Sequence, residues 1–335
     1  MYKISIIIPI FNVEQYLERA LKSILNQTMN LTDLEVIMVD DKSSDNSRSI
    51  IEEYENQYDN FKAVYLKTNS GGAGVPRNEG LKIASGKYVM FLDPDDEFAL
   101  DMCETLYNRI EDSNAEVVKC NHKLVYRDST KIEYQFDKNI DEVKINCKSD
   151  LPPNKVSVCN AIHNREFIEK NNLKFLNLKS SEDMMFSFNE FFNANKIIIL
   201  NNYAGYKYYT NPTVSHSRTP TEENLDVILE SYFIARDLIK KNNRTDIYYD
   251  FFSTLCFGLF SRMLDYNGDK KKYFKRFYEF EKSLKCTLKF RYKWMNIINK
   301  ILMKNRISSA VFLFNVFNLI RKTPIIKFYR KLLYK

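Results

Sequence analysis

The chain of 335 residues is 44% apolar and 14% aromatic, enough to bury the core of one large domain with an appendage. Its formal charge of +7 comes from residues 289–335, which hold 12 Lys or Arg and no acid, while residues 1–288 hold 38 basic and 43 acidic residues, a net of −5. That distribution excludes a nucleic-acid-binding surface spread over the chain. Six cysteines without a C-x-x-C pair exclude a regular disulfide framework and are read as reduced and structural.

In chain order, Met1-Tyr2-Lys3 leads directly into a strand pattern without a secretory signal, so the protein is expected on the cytoplasmic side. Ser5-Ile6-Ile7-Ile8-Pro9 is a β-branched run stopped by Pro, which predicts a central parallel strand opening into a loop. Residues 14–28 place Tyr16, Leu17, Ala20, Leu21, Ile24 and Leu25 at helical spacing. Residues 34–39 predict a second strand ending in Asp40-Asp41; Ser44-Asp45-Asn46-Ser47 then caps a helix to about Tyr58, and residues 61–66 predict a third strand. Strand, helix, strand, helix, strand is the rhythm of a doubly wound α/β sheet.

The loop from Asn69 to Gly80 is Gly-rich but matches neither the P-loop nor G-x-G-x-x-G. Its glycines permit close backbone approach to a ligand, and Pro76 at a helix start puts Arg77 in the first turn, where an anion is welcome; an ordinary flexible loop with a surface Arg is the plainer alternative. Residues 86–91 predict a short buried strand that runs into Asp93-Pro94-Asp95-Asp96-Glu97. Carboxylates crowded this closely repel and raise one another's pKa. They form either a solvated acidic turn capping a helix over residues 98–114, or a site for a divalent cation that itself holds a diphosphate. Sheets of this kind bind ligands beyond the carboxyl ends of their strands, and there the sequence puts Pro9/Phe11, Asp40/Asp41, residues 69–78 and Asp93/Asp95.

Five segments, Ser5-Ile-Ile-Ile-Pro-Ile-Phe-Asn12, Leu25-Asn-Gln-Thr28, Val39-Asp-Asp-Lys-Ser-Ser-Asp45, Gly80-Leu-Lys-Ile-Ala-Ser-Gly86 and Phe91-Leu-Asp-Pro-Asp-Asp96, together resemble the successive signatures of the family 2 inverting glycosyltransferases. The resemblance implies a GT-A fold, Rossmann-like, with a mostly parallel central sheet flanked by helices. Lys179-Ser-Ser-Glu182-Asp183 resembles the Glu-Asp motif that carries the family's catalytic base, here opening an apolar helix over residues 184–194 whose positive N-terminus favours the anionic form. Asn69-Ser-Gly-Gly-Ala-Gly74, Pro76-Arg-Asn78 and the same Glu-Asp motif are also similar to the subgroup that glycosylates poly(ribitol phosphate) in wall teichoic acid.

By this resemblance Pro9, Phe11 and Asp41 hold uridine, Asp40 supports the turn, and Asn69 and Arg77 complete the nucleotide pocket. Asp93 lies by the ribose or sugar, Asp95 binds Mn²⁺ or Mg²⁺ across the diphosphate, and Asp183, beside Glu182, takes the proton of the acceptor hydroxyl. His216 either joins the metal shell or contacts the diphosphate; Arg127 and His163 are weaker candidates. The implied partners are a UDP-sugar donor (GlcNAc, GalNAc or a hexose) and a glycan or polyol-phosphate polymer acceptor. A nucleotidyltransferase, which also uses paired Asp and metal, and a non-catalytic glycopolymer- or membrane-binding module are the competing readings. No nucleic acid is expected, and an oligomer is compatible with the sequence.

Beyond a catalytic domain over residues 1–220, residues 221–288 read as helical, with Leu225, Ile228, Leu229, Tyr232, Phe233 and Leu238 on one face. The basic tail, 289–335, encloses a 14-residue apolar run, 307–320, too short to span a hydrocarbon core of roughly 30 Å. Its flanking Lys/Arg, Tyr292, Trp294, Phe328 and Tyr329 suggest a segment lying on an anionic membrane face, so a peripheral position at the cytoplasmic membrane is expected. A helix packed on the protein body, or bound to an anionic polymer, are the alternatives.

Overall fold

The computed structural model describes residues 2–150, 157–210, 220–290 and 292–322. The chain divides into two compact units, residues 1–214 and 215–335.

In the first unit β1 (Ile4–Ile10), α1 (Glu14–Leu25), β2 (Leu34–Asp40), α2 (Ser47–Gln57), β3 (Phe61–Tyr65), α3 (Gly74–Ile83) and β4 (Tyr88–Phe91) follow the expected alternation. Strands β3, β2, β1 and β4 lie side by side in that order and all run parallel, with Ile7 of β1 level with Ile37 of β2 and Phe91 of β4. Every residue of β1 and β2 is buried, which is why these runs are apolar without alternation. Helix α1 buries Leu17, Ala20, Leu21 and Ile24 against the sheet and stops at Leu25, three residues short of the pattern; Gln27 turns back to donate to the Ser23 and Ala99 carbonyls at 2.9 and 2.8 Å. Helix α3 packs so closely that a Cβ on Gly80 would lie 2.4 Å from Ile7 Cγ2. This holds the start of α3, with Arg77, over the end of the sheet.

The acidic turn after β4 does not cap a helix. Glu97–Phe98 forms a short strand, β5, and α4 (Met102–Ser113) begins only four residues later. The reason is a second, four-stranded sheet, ordered β5-β12-β7-β8, in which β7 is His122–Val125, β8 Thr130–Glu133 and β12 Tyr206–Tyr209; Phe98 pairs antiparallel with Tyr206. The main sheet continues past β4 through β10 (Ala161–Asn164), β6 (Val117–Cys120), β11 (Lys196–Leu200) and β9 (Glu142–Asn146) to eight strands. Strand β10 runs antiparallel to both β4 and β6. Helices α5 (Arg165–Lys170) and α6 (Glu182–Asn193) follow β10, and α6 carries the Glu-Asp motif at its start.

The second unit is helical: α7 (Glu222–Lys241), α8 (Tyr248–Asp265), α9 (Lys270–Ser283), α10 (Lys293–Leu302) and α11 (Ile307–Lys322). Thr221 caps α7 by accepting from Asn224 N at 3.2 Å, and Asp269 caps α9 through Lys271 N at 2.9 Å. The tail's apolar run is α11, and one face of it packs within its own unit: Ala310 and Phe314 are fully buried, and Phe317 stacks on Trp294 at 4.3 Å. Trp294 is therefore a core residue and not an interfacial anchor; Phe328 and Tyr329 lie outside the described residues. Among the described residues no helix is long and apolar enough to cross a membrane.

Candidate active site

Parallel strands β1, β2, β3 and β4 deliver their carboxyl ends to one rim of the sheet, and the rim loops are tied to one another. Pro9 is buried inside β1, while Phe11 just beyond it is 46% exposed. Asp40 accepts from Ser43 N at 2.9 Å and so closes the turn after β2. Asp41 is buried and accepts from Ser70 N (2.9 Å), Ser70 Oγ (2.8 Å) and Asn69 Nδ2 (3.1 Å), locking the β2 loop to the β3 loop. Burial raises its pKa, opposed by the two Ser70 bonds.

Arg77 is not on the surface. It is 3% exposed, and its guanidinium joins two carboxylates 89 positions apart in the chain: Nη2 donates to Asp93 Oδ1 at 2.7 Å and Nη1 to Glu182 Oε1 at 2.8 Å. Burial disfavours its charge, but Asp93, Glu182 and Asp183 outweigh that and hold the guanidinium firmly protonated. The Gly-rich loop makes this junction possible in a way the sequence did not reveal. A Cβ on Gly72 would come within 2.6 Å of the Leu178 carbonyl, and one on Gly74 within 2.6 Å of the Leu176 carbonyl. These two glycines admit the chain's own 175–179 segment, which leads into the Glu-Asp motif. Asn78 completes the join by exchanging two bonds with the Phe175 backbone, 2.8 and 2.9 Å.

Asp183 lies half-buried in the first turn of α6, behind Ser181, whose φ of 68° is strained for a residue with a side chain. Met184 N donates to Asp183 Oδ1 at 2.7 Å. Burial and the neighbouring Glu182 charge push the Asp183 carboxyl up to about 7, against Arg77 and the Met184 N–H, with Asp93 adding to the rise. A carboxyl near 7 is matched to proton abstraction at neutral pH.

Of the acids after β4, Asp93 faces Arg77 and Asp95 stands at the rim. The surrounding chain withdraws water from Asp95, and this together with the Asp93 charge pushes its carboxyl up to about 6. Arg19 donates to the Asp95 backbone carbonyl at 2.5 Å and lies over the Tyr209 ring at 3.7 Å. Asp96 turns inward, accepts from Tyr206 Oη (2.7 Å) and Tyr209 N (2.8 Å), and is held well above the usual carboxylate range by burial and by Asp95 and Asp93. The three acids thus divide between a rim position, an ion pair and a structural clasp. Among the described residues no three His, Cys, Asp or Glu side chains form a ready-made metal cage. Asp93 and Asp95 offer hard oxygen donors in a crowded anionic turn, a set that suits Mg²⁺ or Mn²⁺ when phosphate oxygens supply the remainder. His216 lies outside the described residues.

The model of the family described as Glycosyl transferase family 2 matches residues 5–170. The chain belongs to glycosyltransferase family 2. A poly(ribitol-phosphate) beta-glucosyltransferase of Bacillus spizizenii is 33% identical over 210 residues, 62% of this chain and 32% of that protein, so the chain spans about a third of its length. The poly(ribitol-phosphate) beta-N-acetylglucosaminyltransferase TarP of Staphylococcus aureus is 28% identical over 327 residues, 95% of this chain and 94% of TarP. In fold, the crystal structure of S. aureus TarS 1-349 in complex with UDP-GlcNAc matches with a TM-score of 0.77 at 22% identity, covering 95% of this chain and 92% of that one. The fold of this family 2 glycosyltransferase is therefore GT-A followed by C-terminal helices.

Several residues that build the glycosyltransferase site were not singled out from sequence. Arg19 and Tyr206 organise the acidic turn from elements outside the motifs, and Asp96, the last residue of the motif, turns inward to meet Tyr206, which only the excess of carboxylates there hinted at. His163 is fully buried, bonded to Glu190 and to the Val158 carbonyl, and is not open to a substrate. Arg127 is exposed on the turn between β7 and β8.

Proposed function

We propose that the protein transfers a sugar from a UDP-sugar to a hydroxyl of a polyol-phosphate polymer, by a single displacement that inverts the anomeric centre. The observation that carries this reading is Arg77, whose one guanidinium is bonded to the donor-side Asp93 and to Glu182 beside Asp183. A sugar held on the Asp93 side is thereby brought before a carboxyl of the right basicity. Pro9, Phe11, Asp41 and Asn69 form the uridine end of the pocket, with Asp40 supporting the turn. Among the described residues Arg77 Nε is buried without a hydrogen-bond partner, a donor that a phosphate or sugar oxygen would satisfy.

Asp93 and Asp95 are the residues that would hold Mn²⁺ or Mg²⁺. Such an ion, when bound, supplies Lewis-acid stabilisation of the charge on the departing diphosphate, generally worth several kcal/mol. Asp183 accepts the proton of the acceptor hydroxyl as that oxygen bonds to the anomeric carbon and the bond to UDP breaks. The relatives' names support both the acceptor class and the inversion, since an α-linked donor gives the β-glycosides those names describe. UDP-GlcNAc, named in the TarS complex and matching the activity named for TarP, is the first donor to try, ahead of UDP-GalNAc and a UDP-hexose.

The test is a donor panel with poly(ribitol phosphate), monitored for UDP and for pyrophosphate. The reading predicts UDP release from one preferred donor and a β-anomeric proton in the product by NMR. Pyrophosphate release, an α-product, or no UDP from any donor would overturn it.

A peripheral position at an anionic membrane surface is a second part of the proposal. It is supported by Phe312, Leu319 and Ile297, 66%, 68% and 58% exposed on α10 and α11, in a region with no acid.

A further inference from the structure

We propose that the buried pair His163–Glu190 is a positioning device for the transfer reaction, locking the helix that carries Asp183 to the sheet and to the loop beside the site; this rests on the reading of Asp183 as the base. Both side chains are fully buried, His163 on β10 and Glu190 on α6. Glu190 follows Asp183 by seven residues, two turns along the same face of α6. His163 Nδ1 bonds Glu190 Oε1, and Nε2 lies 3.0 Å from the Val158 carbonyl.

The imidazole also packs edge-on against Phe91 at 5.4 Å and Phe186 at 6.2 Å. Phe91 ends β4 two residues before Asp93, and Phe186 stands three residues after Asp183. One ring thus touches the base helix twice, the strand that leads to the donor-side acids, and the loop that precedes β10. That loop is pinned again at the residue before Val158, where the buried Lys119 side chain donates to the Ser157 carbonyl at 2.9 Å.

The hydrogen bonding explains why these residue types are needed. Both imidazole nitrogens face oxygens, Nδ1 the Glu190 carboxyl and Nε2 the Val158 carbonyl, so each nitrogen ties the ring to a different element. Among the described residues Glu190 Oε2 is buried without a hydrogen-bond partner, so the pair is a costly anchor where an apolar side chain would hold a helix more cheaply. What the pair adds is direction: it fixes α6 along its axis, and with it the Asp183 carboxylate.

The experiment compares Glu190→Gln, Glu190→Ala and Glu190→Asp in the full-length enzyme with UDP-GlcNAc and poly(ribitol phosphate), after thermal melts have verified folding. A Gln amide can donate to Nδ1 while Nε2–H still reaches Val158, so E190Q keeps the link. It is expected to retain kcat within about threefold of wild type, whereas E190A loses about tenfold or more in kcat with donor KM within about twofold, as a misplaced base should. Should E190A fail to fold, E190D, shortened by one methylene, is expected to show the same kcat-only loss. The inference is overturned if folded E190A or E190D keeps wild-type kcat, if the loss falls on donor KM, or if E190Q is as impaired as E190A. A wild-type enzyme inactive with every donor overturns the functional reading and this inference with it.

Discussion

Asp183 and Asp95 are both carboxyls held above their ordinary range, and the direction has consequences at each. With a value of about 7 in the free protein, Asp183 is ionised to only about a tenth at pH 6, so kcat/KM should rise roughly tenfold per pH unit below 7 and level above it. A rate flat from pH 5.5 to 8 would remove Asp183 as the base. Asp95, near 6, must give up its proton before it can hold a cation, so proton and cation compete for it. Asp95→Ala should therefore abolish any difference in UDP affinity, measured by calorimetry, between Mn²⁺ and EDTA; an unchanged difference would take Asp95 out of the metal account. The sequence singled these carboxylates out through the motifs around them, since by themselves an acidic turn and a pair of acids at a helix start are ordinary caps. The partnership of Arg77 with both acids was not legible there, since a bond between residues 77 and 182 depends on how the main sheet folds back through β10.

At the scale of elements, the parallel half of the sheet could be read almost strand by strand, because unbroken apolar runs such as Ile4–Ile10 have few other fates. The second sheet could not. Residues 97–98 are two positions long, and their partner Tyr206 lies more than a hundred residues away, so residues 98–101 were absorbed into the following helix. The helical unit hides a polar element of the same kind. Glu281 on α9 is fully buried, accepts from Leu288 N and Asn299 Nδ2 at 2.8 and 2.9 Å, and burial pushes its carboxyl up to about 7 despite those bonds. A carboxyl raised in the folded state gives stability that is fully present below its ordinary 4.5 and lost as pH rises through about 7. Glu281→Gln should accordingly narrow the fall in Tm between pH 5 and pH 8. A variant with an unchanged pH dependence would show that Glu281 does not carry the effect.

Over the whole molecule, the chain resolves into a GT-A unit over residues 1–214 and a helical unit over residues 215–335, where the sequence reading drew three segments, 1–220, 221–288 and 289–335. The apolar run 307–320 of the tail is two-faced, one face packed through Phe314 and the other presenting Phe312 and Leu319 to solvent, a division the sequence reading did not draw. If that outer face meets an anionic membrane, the full-length protein should float with vesicles rich in anionic lipid, and Phe312→Ser/Leu319→Ser should stay in solution. Flotation unaffected by the double substitution would assign the binding elsewhere, and a full-length protein that never floats would end the membrane reading.

The account's central claim joins the two ends of the first unit: donor acids from the parallel half and a base from α6 act on one sugar. Asp183→Asn tests it most directly, read by isothermal titration with UDP-GlcNAc and by transfer to poly(ribitol phosphate) on the same preparation. The claim predicts transfer reduced at least about a thousandfold with donor affinity within a few-fold of wild type. Transfer that persists, or donor affinity lost in step with activity, would contradict it.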